Sequence, residues 1–415
     1  MSSRAASVKT NVLIASLCLL GLLSTTGASL PYPILAPLFA GDTGNGISAF
    51  LGLPPKLLLG IALMVNPLGL LIGSAVLGAV SDRLGRRRML LATAIGAAAG
   101  HALTAAALVA ESYPLFLLAR FVTGLLEGNG AIMRAMVVER VERRLRNHAL
   151  SWLNGAFHLG WLVGPLLAGF TVGVSLTLPF TVAACALLVG ALLVAIALER
   201  ETVAAKAGER WWRVARERHA FTLLRHGPLR TLFSVHFAYA CGVAAFYEFF
   251  PLWLVDVGGY AVREIAFVNM GMCALMTGAA LFAGRASGVE PRRRASVQAG
   301  LAACSILAVG FGSLQVGLAA IVLFGLPHAY YNATVQGWAA DQFAAYGQGA
   351  VMGLLSTTFC LANIVMALAG GVLALVDTRI VLVVGGALAL WAALAMRTWS
   401  RRAVGVAAQS TVELQ

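Results

Sequence analysis

The sequence predicts an all-α membrane protein with 12 transmembrane helices in two pseudo-symmetric six-helix bundles around a central cavity. Composition is the first observation that supports this class, because 60% of the 415 residues are hydrophobic and only 11% are charged. Soluble domains are about 45–50% apolar and about 25% charged. The second observation is a series of about twelve apolar runs, each near the roughly 20 residues that a helix needs to cross a bilayer. The third is a partial internal repeat. An ordinary soluble domain is excluded.

The apolar runs follow one another along the whole chain, with Pro and Gly inside several of them, which neighbouring transmembrane helices tolerate. They predict helices at 11–39, 57–80, 89–110, 114–138, 149–171, 176–198, 230–255, 264–283, 296–315, 317–338, 349–373 and 378–398. The first run is too long for a cleaved leader and is followed by further spans. The predicted division is an N-terminal bundle at 1–198, a cytoplasmic linker at 199–229, a C-terminal bundle at 230–398 and a cytoplasmic tail at 399–415.

The basic residues indicate the orientation in the membrane. Of the 30 Lys and Arg residues, 25 fall in alternate loops and at the two ends, which places those segments in the cytoplasm. Both termini are therefore predicted to be cytoplasmic. Because the charges lie in short loops and not on one face, nucleic-acid binding is not expected. The linker, with Trp211 and Trp212 beside alternating Arg and Glu, predicts an amphipathic helix at the membrane surface.

Several classes of chemistry have no residues to carry them. The six Cys residues lie inside apolar runs without C-x-x-C spacing, so neither a disulfide framework nor a metal site is expected. No nucleotide-binding loop, zinc-protease motif or nucleophile elbow stands in a usable context. We therefore expect no enzyme activity and no cofactor.

A charged turn lies between the second and third predicted helices, and it carries the first resemblance. The run from Gly78 to Arg88 reads GAVSDRLGRRR. It resembles the G-x-x-x-D-R-x-G-R-R signature of the major facilitator superfamily of secondary transporters. The resemblance implies a cytoplasmic gate that latches the two halves and breaks when the inside opens. Its members here are Gly78, Asp82, Arg83, Gly85, Arg86 and Arg87.

The second half echoes this run at an offset of 206 residues, as parallel repeats of such transporters do. Gly284 corresponds to Gly78, and the three Arg residues at 292–294 correspond to those at 86–88. Gly288 stands where Asp82 stands in the first half, so the second latch is expected to be weak or absent.

The fourth predicted helix carries charges inside the membrane. Arg120 followed by Gly124 resembles the second motif of the same superfamily. Arg120, Glu127 and Arg134 are spaced by seven residues and so share one face of a continuous helix. Glu127 is expected near the midplane, where a carboxyl can change protonation as its surroundings change. Glu127 is the first proton-coupling candidate. The alternative is a self-neutralising ladder of ion pairs.

The fifth predicted helix carries a glycine motif, GWLVGPLLAG, at 160–169. It resembles a segment of the drug:proton antiporter branch of the superfamily, although Ala168 and Ser151 replace two of the expected glycines. Small residues four apart allow close helix packing. The predicted packing motif comprises Gly160, Gly164, Pro165 and Gly169. The alternative is generic tight packing without a link to export.

Other polar side chains lie within the predicted spans: Asn66, His101, Asn154, His158, His236, Tyr239, Glu248, Asn269, His328, Asn332, Gln336 and Asn363. Each one taken alone is expected to be a packed hydrogen bond between helices. As a set they outline a polar cavity. The residues assigned to a substrate cavity are Arg120, Asn154, His158, His236, Tyr239, His328, Asn332 and Gln336, and Glu248 is the second proton-coupling candidate.

The expected function is therefore proton-coupled export of small organic or amphipathic molecules by alternating access. Short loops and 27 Arg against 3 Lys favour the inner membrane of a bacterium. The expected partners are a small-molecule substrate, protons and lipid, with the protein as a monomer. One alternative is a symporter or exporter of an anionic metabolite or siderophore, suggested by Arg120 and the intramembrane His residues. An alternative of another class is a membrane sensor or scaffold that transports nothing.

Overall fold

The computed structural model describes residues 2–40, 45–198, 220–283 and 290–412. Its helices are α1 (Ser2–Ser29), α2 (Tyr32–Ala40), α3 (Pro55–Leu84), α4 (Arg86–Val109), α5 (Tyr113–Glu127), α6 (Gly130–Arg140), α7 (Arg146–Thr171), α8 (Leu178–Ala197), α9 (Gly227–Gly258), α10 (Val262–Ala283), α11 (Pro291–Phe311), α12 (Leu314–Gln342), α13 (Gln348–Leu373) and α14 (Thr378–Val412). Short 3₁₀ turns stand at Ala220–Arg225 and Ala344–Tyr346.

The predicted all-α membrane class is confirmed. Eleven segments of the described chain are long and apolar enough to cross a bilayer. The remaining predicted span corresponds to α10, a helix of 22 residues that ends beside an undescribed segment. The predicted linker helix with Trp211 and Trp212 lies outside the described residues, as do Gly284 and Gly288.

The chain divides into two compact units. Unit 1 comprises residues 1–219 and 260–267, and unit 2 comprises residues 220–259 and 268–415. In unit 1, α1 packs on α7 and α8, while α5 packs on α3 and α4. In unit 2, α14 packs on α9 and α11, α12 packs on α11, and α13 packs on α9. Each unit buries apolar side chains of its own helices.

Two predicted helices are each broken into two. The run at 11–39 forms α1 and α2, because Pro31 has no N–H group with which to continue the helix after Leu30. The run at 114–138 forms α5 and α6, with Gly128 and Asn129 at ψ angles of 18° and 0° between them. Both predicted spans are found, from Thr10 to Ala40 and from Tyr113 to Arg140, but the prediction that each is one continuous helix was wrong.

The crossing of α3 and α5 explains why glycine stands on both helices. A Cβ atom at Gly73 would meet the Leu125 carbonyl, and one at Gly124 would meet the Asn66 carbonyl. Backbone lies against backbone at this crossing, which only residues without a side chain permit.

At the other end of the chain, α14 continues to Val412, past the predicted end at 398.

Candidate functional site

Glu127 is the last residue of α5, and its side chain is buried inside unit 1. Its Oε1 lies 2.9 Å from Nε2 of His101 on α4, and the two side chains are 3% and 0% exposed. Its other oxygen, Oε2, has no hydrogen-bond partner among the described residues, and neither has Nδ1 of His101. The structure therefore gives Glu127 a buried base as its direct partner, which the sequence did not predict.

The break after Glu127 is held by the neighbouring helices. Asn129 Nδ2 donates a hydrogen bond of 3.2 Å to Oγ1 of Thr93 on α4. A Cβ atom at Gly128 would lie 2.7 Å from the backbone nitrogen of Ser74 on α3. The carboxyl of Glu127 thus sits at a discontinuity between two helices that α3 and α4 fix in place.

The break also alters the predicted stripe of three charges. Arg134 lies on α6, not on the helix that carries Arg120 and Glu127. It is exposed, and its guanidinium lies 5.1 Å from the centre of the Phe157 ring on α7. The stripe predicted from a continuous helix therefore ends at Glu127, and the prediction that Arg134 belongs to it was wrong.

Arg120 is a buried cation with free donors. The residue is 3% exposed, and its Nε and Nη1 have no hydrogen-bond partner within the described chain. Its backbone carbonyl accepts a 3.2 Å hydrogen bond from Asn66 Nδ2. A cavity of about 10 Å³ adjoins it, lined by residues that include Tyr32 and Pro67. This volume is close to the minimum for one water molecule.

The remaining polar candidates of unit 1 lie on α7. Asn154 and His158 are both exposed and one helical turn apart, so they present polar groups on one side of α7. Within the described residues, neither side chain makes a hydrogen bond with Arg120 or Glu127.

The glycine motif of α7 packs against α1. A Cβ atom at Gly160 would meet Thr25 and the backbone of α1, and one at Gly164 would meet Ser29 and the Thr26 carbonyl. Ser29 Oγ donates a 3.0 Å hydrogen bond to the Gly160 carbonyl, so the two helices are joined at this contact.

The other two members of the motif differ from this pair. Pro165 is buried inside α7. A Cβ atom at Gly169 would lie 2.5 Å from the Cβ of Ala266, which belongs to unit 1. The nearest neighbour of Gly169 is therefore one small side chain, whereas Gly160 and Gly164 lie against both side chains and backbone of the neighbouring segment.

The charged turn between α3 and α4 forms a compact ionic cluster. Gly85 has φ +93°, a conformation that L side chains rarely adopt, and so permits the turn. The Arg86 guanidinium lies 3.1 Å from the Asp82 carboxylate and 2.6 Å from the Glu139 carboxylate on α6. Arg87 donates to the carbonyls of Ala195 and Leu198 at the end of α8. The turn thus ties α3, α4, α6 and α8 together.

Two members of the predicted gate play no part in this cluster. Arg83 is exposed. No described atom lies within 4 Å of where a Cβ of Gly78 would stand, so no described helix packs closely against Gly78. The close approaches of α3 occur further along the helix, at Gly69 and Gly73, because α5 crosses there.

Unit 2 holds a polar and aromatic cluster between α9 and α12. The Tyr239 hydroxyl lies 3.1 Å from His328 Nδ1, and Asn332 Nδ2 lies 2.9 Å from His328 Nε2. His236 Nδ1 lies 3.3 Å from the hydroxyl of Tyr331, whose ring stacks on Tyr239. Four predicted cavity residues are thus joined into one cluster, in which Tyr331 is the member that the sequence analysis missed.

The other two candidates of unit 2 lie apart from this cluster. Gln336 is exposed, further along α12. Glu248 is 2% exposed within α9, and neither of its carboxylate oxygens has a hydrogen-bond partner among the described residues. No group of three or more His, Cys, Asp or Glu residues suited to a metal ion occurs in the described ranges.

Comparison with known sequences identifies the family. The family described as Major Facilitator Superfamily matches residues 17–317. The tetracycline resistance protein of class B from Escherichia coli is 31% identical over 125 residues, 30% of each chain. The human protein named major facilitator superfamily domain-containing protein 10 is 33% identical over 90 residues, 22% of this chain and 19% of its own. The chain therefore matches a third or less of the length of these relatives.

Solved structures share the fold along almost the whole chain. The human organic anion transporter MFSD10 has a TM-score of 0.67 at 20% identity, covering 93% of this chain and 99% of its own. A D-xylose-proton symporter has a TM-score of 0.70 at 16% identity, covering 94% and 97%. The sequence match and the fold together indicate a multi-pass membrane transporter and not an enzyme. This chain belongs to the Major Facilitator Superfamily.

Proposed function

We propose that this transporter exports small organic, amphipathic molecules by alternating access and is driven by a proton gradient without a cofactor. The observation that carries the proposal is the buried pair of Glu127 and His101 at the break between α5 and α6. The protein acts as a monomer in the cytoplasmic membrane of a bacterium, with both termini inside the cell.

A carboxyl buried inside the membrane destabilises the protein, so its presence indicates a function. An ionisable group inside the membrane costs several kcal/mol on insertion scales and usually marks an ion or proton pathway. Glu127 makes one hydrogen bond and leaves Oε2 free, so the site is not built as a fully satisfied structural network. Its free oxygen can receive a proton when a path to water opens. This is the behaviour required of a coupling site.

Two observations favour export of organic molecules: the names of the relatives and the aromatic cluster of unit 2. Several relatives are named tetracycline resistance proteins, which favours removal of organic molecules from the cell. The cluster of Tyr239, Tyr331 and His328 combines stacked aromatic rings with hydrogen-bonding groups. Both tyrosines are 1% exposed in this structure, so a substrate would reach them when the protein changes conformation. Such surfaces bind flat organic molecules through offset stacking. We assign substrate binding to this cluster of unit 2, with Gln336 on the same helix α12 as a further polar group.

A second candidate is transport of an organic anion, and Arg120 is the observation that favours it. The unpartnered Nε and Nη1 of this buried guanidinium could bind a carboxylate of the substrate. The structural neighbour named an organic anion transporter fits the same idea. In this case Glu127 would compensate Arg120 while the site is empty.

One transport assay separates the two candidates. Purified protein in proteoliposomes is given an imposed pH gradient, and accumulation of organic cations, neutral lipophiles and carboxylates is measured in parallel. Tetracycline serves as the first probe. Accumulation of neutral or cationic probes against their gradient supports the export proposal. Accumulation of carboxylates alone supports the second, and no dependence on the pH gradient contradicts proton coupling.

A further inference from the structure

We propose that His101 is the second half of the coupling site and shares one proton with Glu127, and that α1 closes over this pair at Gly27. The proposal rests on the proposed function for its role in transport. It goes beyond it in assigning a proton-binding role to His101 and a gating role to a segment of α1.

The geometry of the pair permits a shared proton. With 2.9 Å between Oε1 and Nε2, a proton on the carboxyl can pass to the imidazole, breaking one O–H bond and forming one N–H bond. The neutral pair becomes an ion pair without a change in proton count. The Nδ1 atom of His101 has no hydrogen-bond partner among the described residues, so the hydrogen bond to Glu127 and the stacking of Phe180 on the ring hold its orientation.

The helix α1 covers one side of the hydrogen bond between Glu127 and His101. A Cβ atom at Gly27 would collide with both Nε2 of His101 and Oε1 of Glu127, the two atoms that share the proton. A residue with any side chain would therefore displace the pair. Because Gly27 has none, the backbone of α1 reaches the hydrogen bond itself and excludes water from that side.

Both helices at this contact are interrupted close to the pair. α1 ends at Ser29, two residues after Gly27, and α5 ends at Glu127. A helix break is a place where a segment can change direction without losing hydrogen bonds along its length. The segment of α1 that covers the pair is thus next to a hinge, so its displacement would open the pair to water.

One further charge acts on the pair. Arg120, on the same helix as Glu127, interacts with it electrostatically. Among the described residues, α1 places Gly27 against the pair, and Phe180 of α8 stacks on the His101 ring. When the pair has lost its proton, its net negative charge is balanced by Arg120. When the pair holds the proton, its net charge is zero and the positive charge of Arg120 is not balanced. Proton binding therefore changes the net charge of the three side chains together.

The first test reads protonation directly and does not depend on transport. Infrared difference spectra of reconstituted protein are recorded across a pH series, and the Glu127 band is identified by its loss in Glu127→Gln. In the wild type, carboxyl and imidazole bands are expected to change together in one transition. In His101→Gln the midpoint should move by at least about one pH unit, whereas His148→Gln, an exposed control on α7, should leave it unchanged.

Two outcomes of that test overturn the proposal. One is a Glu127 band that titrates identically in the wild type and in His101→Gln. The other is an imidazole that titrates independently of the carboxyl. Failure of the proposed function would look different, because a facilitator without proton coupling would still show the joint transition but no transport driven by pH.

The second test concerns the cover. Gly27→Ala is expected to lower transport at least tenfold and to shift the infrared transition, while Gly155→Ala, which meets no described atom within 4 Å, should stay within twofold of the wild type. If Gly27→Ala lowers the yield of folded protein, adding His101→Asn together with Glu127→Ala removes both atoms that the new methyl meets and should restore the yield. Equal behaviour of Gly27→Ala and Gly155→Ala, or no rescue, overturns the assignment of α1 as the cover.

Discussion

At the residue scale, the two carboxyls that are buried among the described residues, Glu127 and Glu248, have different surroundings. Glu127 has a base at hydrogen-bond distance and a cation on its own helix, whereas Glu248 has no hydrogen-bond partner among the described residues. A carboxyl that exchanges protons needs neighbours that respond to its charge. We therefore rank Glu127 above Glu248, which stays the second coupling candidate.

The sequence predicted Glu127 and Arg120 as intramembrane charges but did not predict His101 as a partner. Helical periodicity predicts which residues of one helix share a face, and Arg120 and Glu127 share a face because they are seven residues apart. His101 lies 26 residues before Glu127 on another helix, and only the packing of α4 on α5 brings it close. The one available signal was a lone His in an apolar span, which did not identify its neighbour.

The ranking of the two carboxyls is tested by Glu248→Gln. This change removes a buried charge site that has no partner, so proton-driven accumulation is expected to stay within twofold of the wild type. Thermal unfolding should shift by no more than a few degrees, because the amide also buries polar atoms without a partner and occupies nearly the same volume. Transport against a pH gradient and thermal melting are measured on the same preparation. Loss of accumulation in Glu248→Gln would make it a coupling residue.

At the element scale, the helices of unit 1 meet through backbone contacts and through one ionic turn. Gly160 and Gly164 bring α7 onto α1, and glycines on α3 and α5 make their crossing close. The sequence predicted the small-residue face of α7 but not the breaks in the first and fourth runs. Pro31 and Gly128 were visible, yet both residues also occur inside unbroken transmembrane helices, so composition alone could not place the breaks.

The packing of α7 is tested by comparing Gly164→Leu with Gly169→Ala. A leucine at Gly164 would meet Ser29 and the backbone of α1, which cannot move aside. An alanine at Gly169 would first meet the Cβ of Ala266 at 2.5 Å, and the nearest backbone atom lies 3.8 Å away. Gly164→Leu is therefore expected to lower transport at least tenfold and Gly169→Ala by no more than about threefold. Transport and the amount of folded protein are measured together, and transport should be lost before expression. Equal, mild effects would indicate that Gly164 does not lie at a close contact.

The ionic turn is tested by Asp82→Asn. Arg86 keeps its contact with Glu139 in this variant, so the fold should be retained, with a stability change below about 1 kcal/mol for an exposed ion pair. We expect slower transport and greater labelling of single cysteines on the cytoplasmic side, because we assign the turn to the cytoplasmic gate. Glu139→Gln is the matched variant on the other partner of Arg86. Unchanged labelling with full transport in Asp82→Asn would remove Asp82 from the gate.

At the scale of the whole molecule, the fold class followed from composition and from the apolar runs, because a bilayer imposes one length and one kind of surface on every span. The residues of the candidate site could be predicted only in part from the sequence. Residues on one helix, such as His328 and Asn332, could be grouped from their spacing, but Tyr331 and His101 join their partners only through packing between helices. The family assignment adds that the molecule is a transporter.

The central claim is that proton exchange at Glu127 drives accumulation of the substrate, and the most direct measurement is transport by Glu127→Gln in proteoliposomes. With an imposed pH gradient, the wild type should concentrate its substrate, whereas Glu127→Gln should not. Downhill exchange without a gradient should survive in the variant, because the amide resembles the protonated acid and still fits beside His101. If Glu127→Gln concentrates substrate as the wild type does, the account is contradicted, and Glu127 is part of a structural pair.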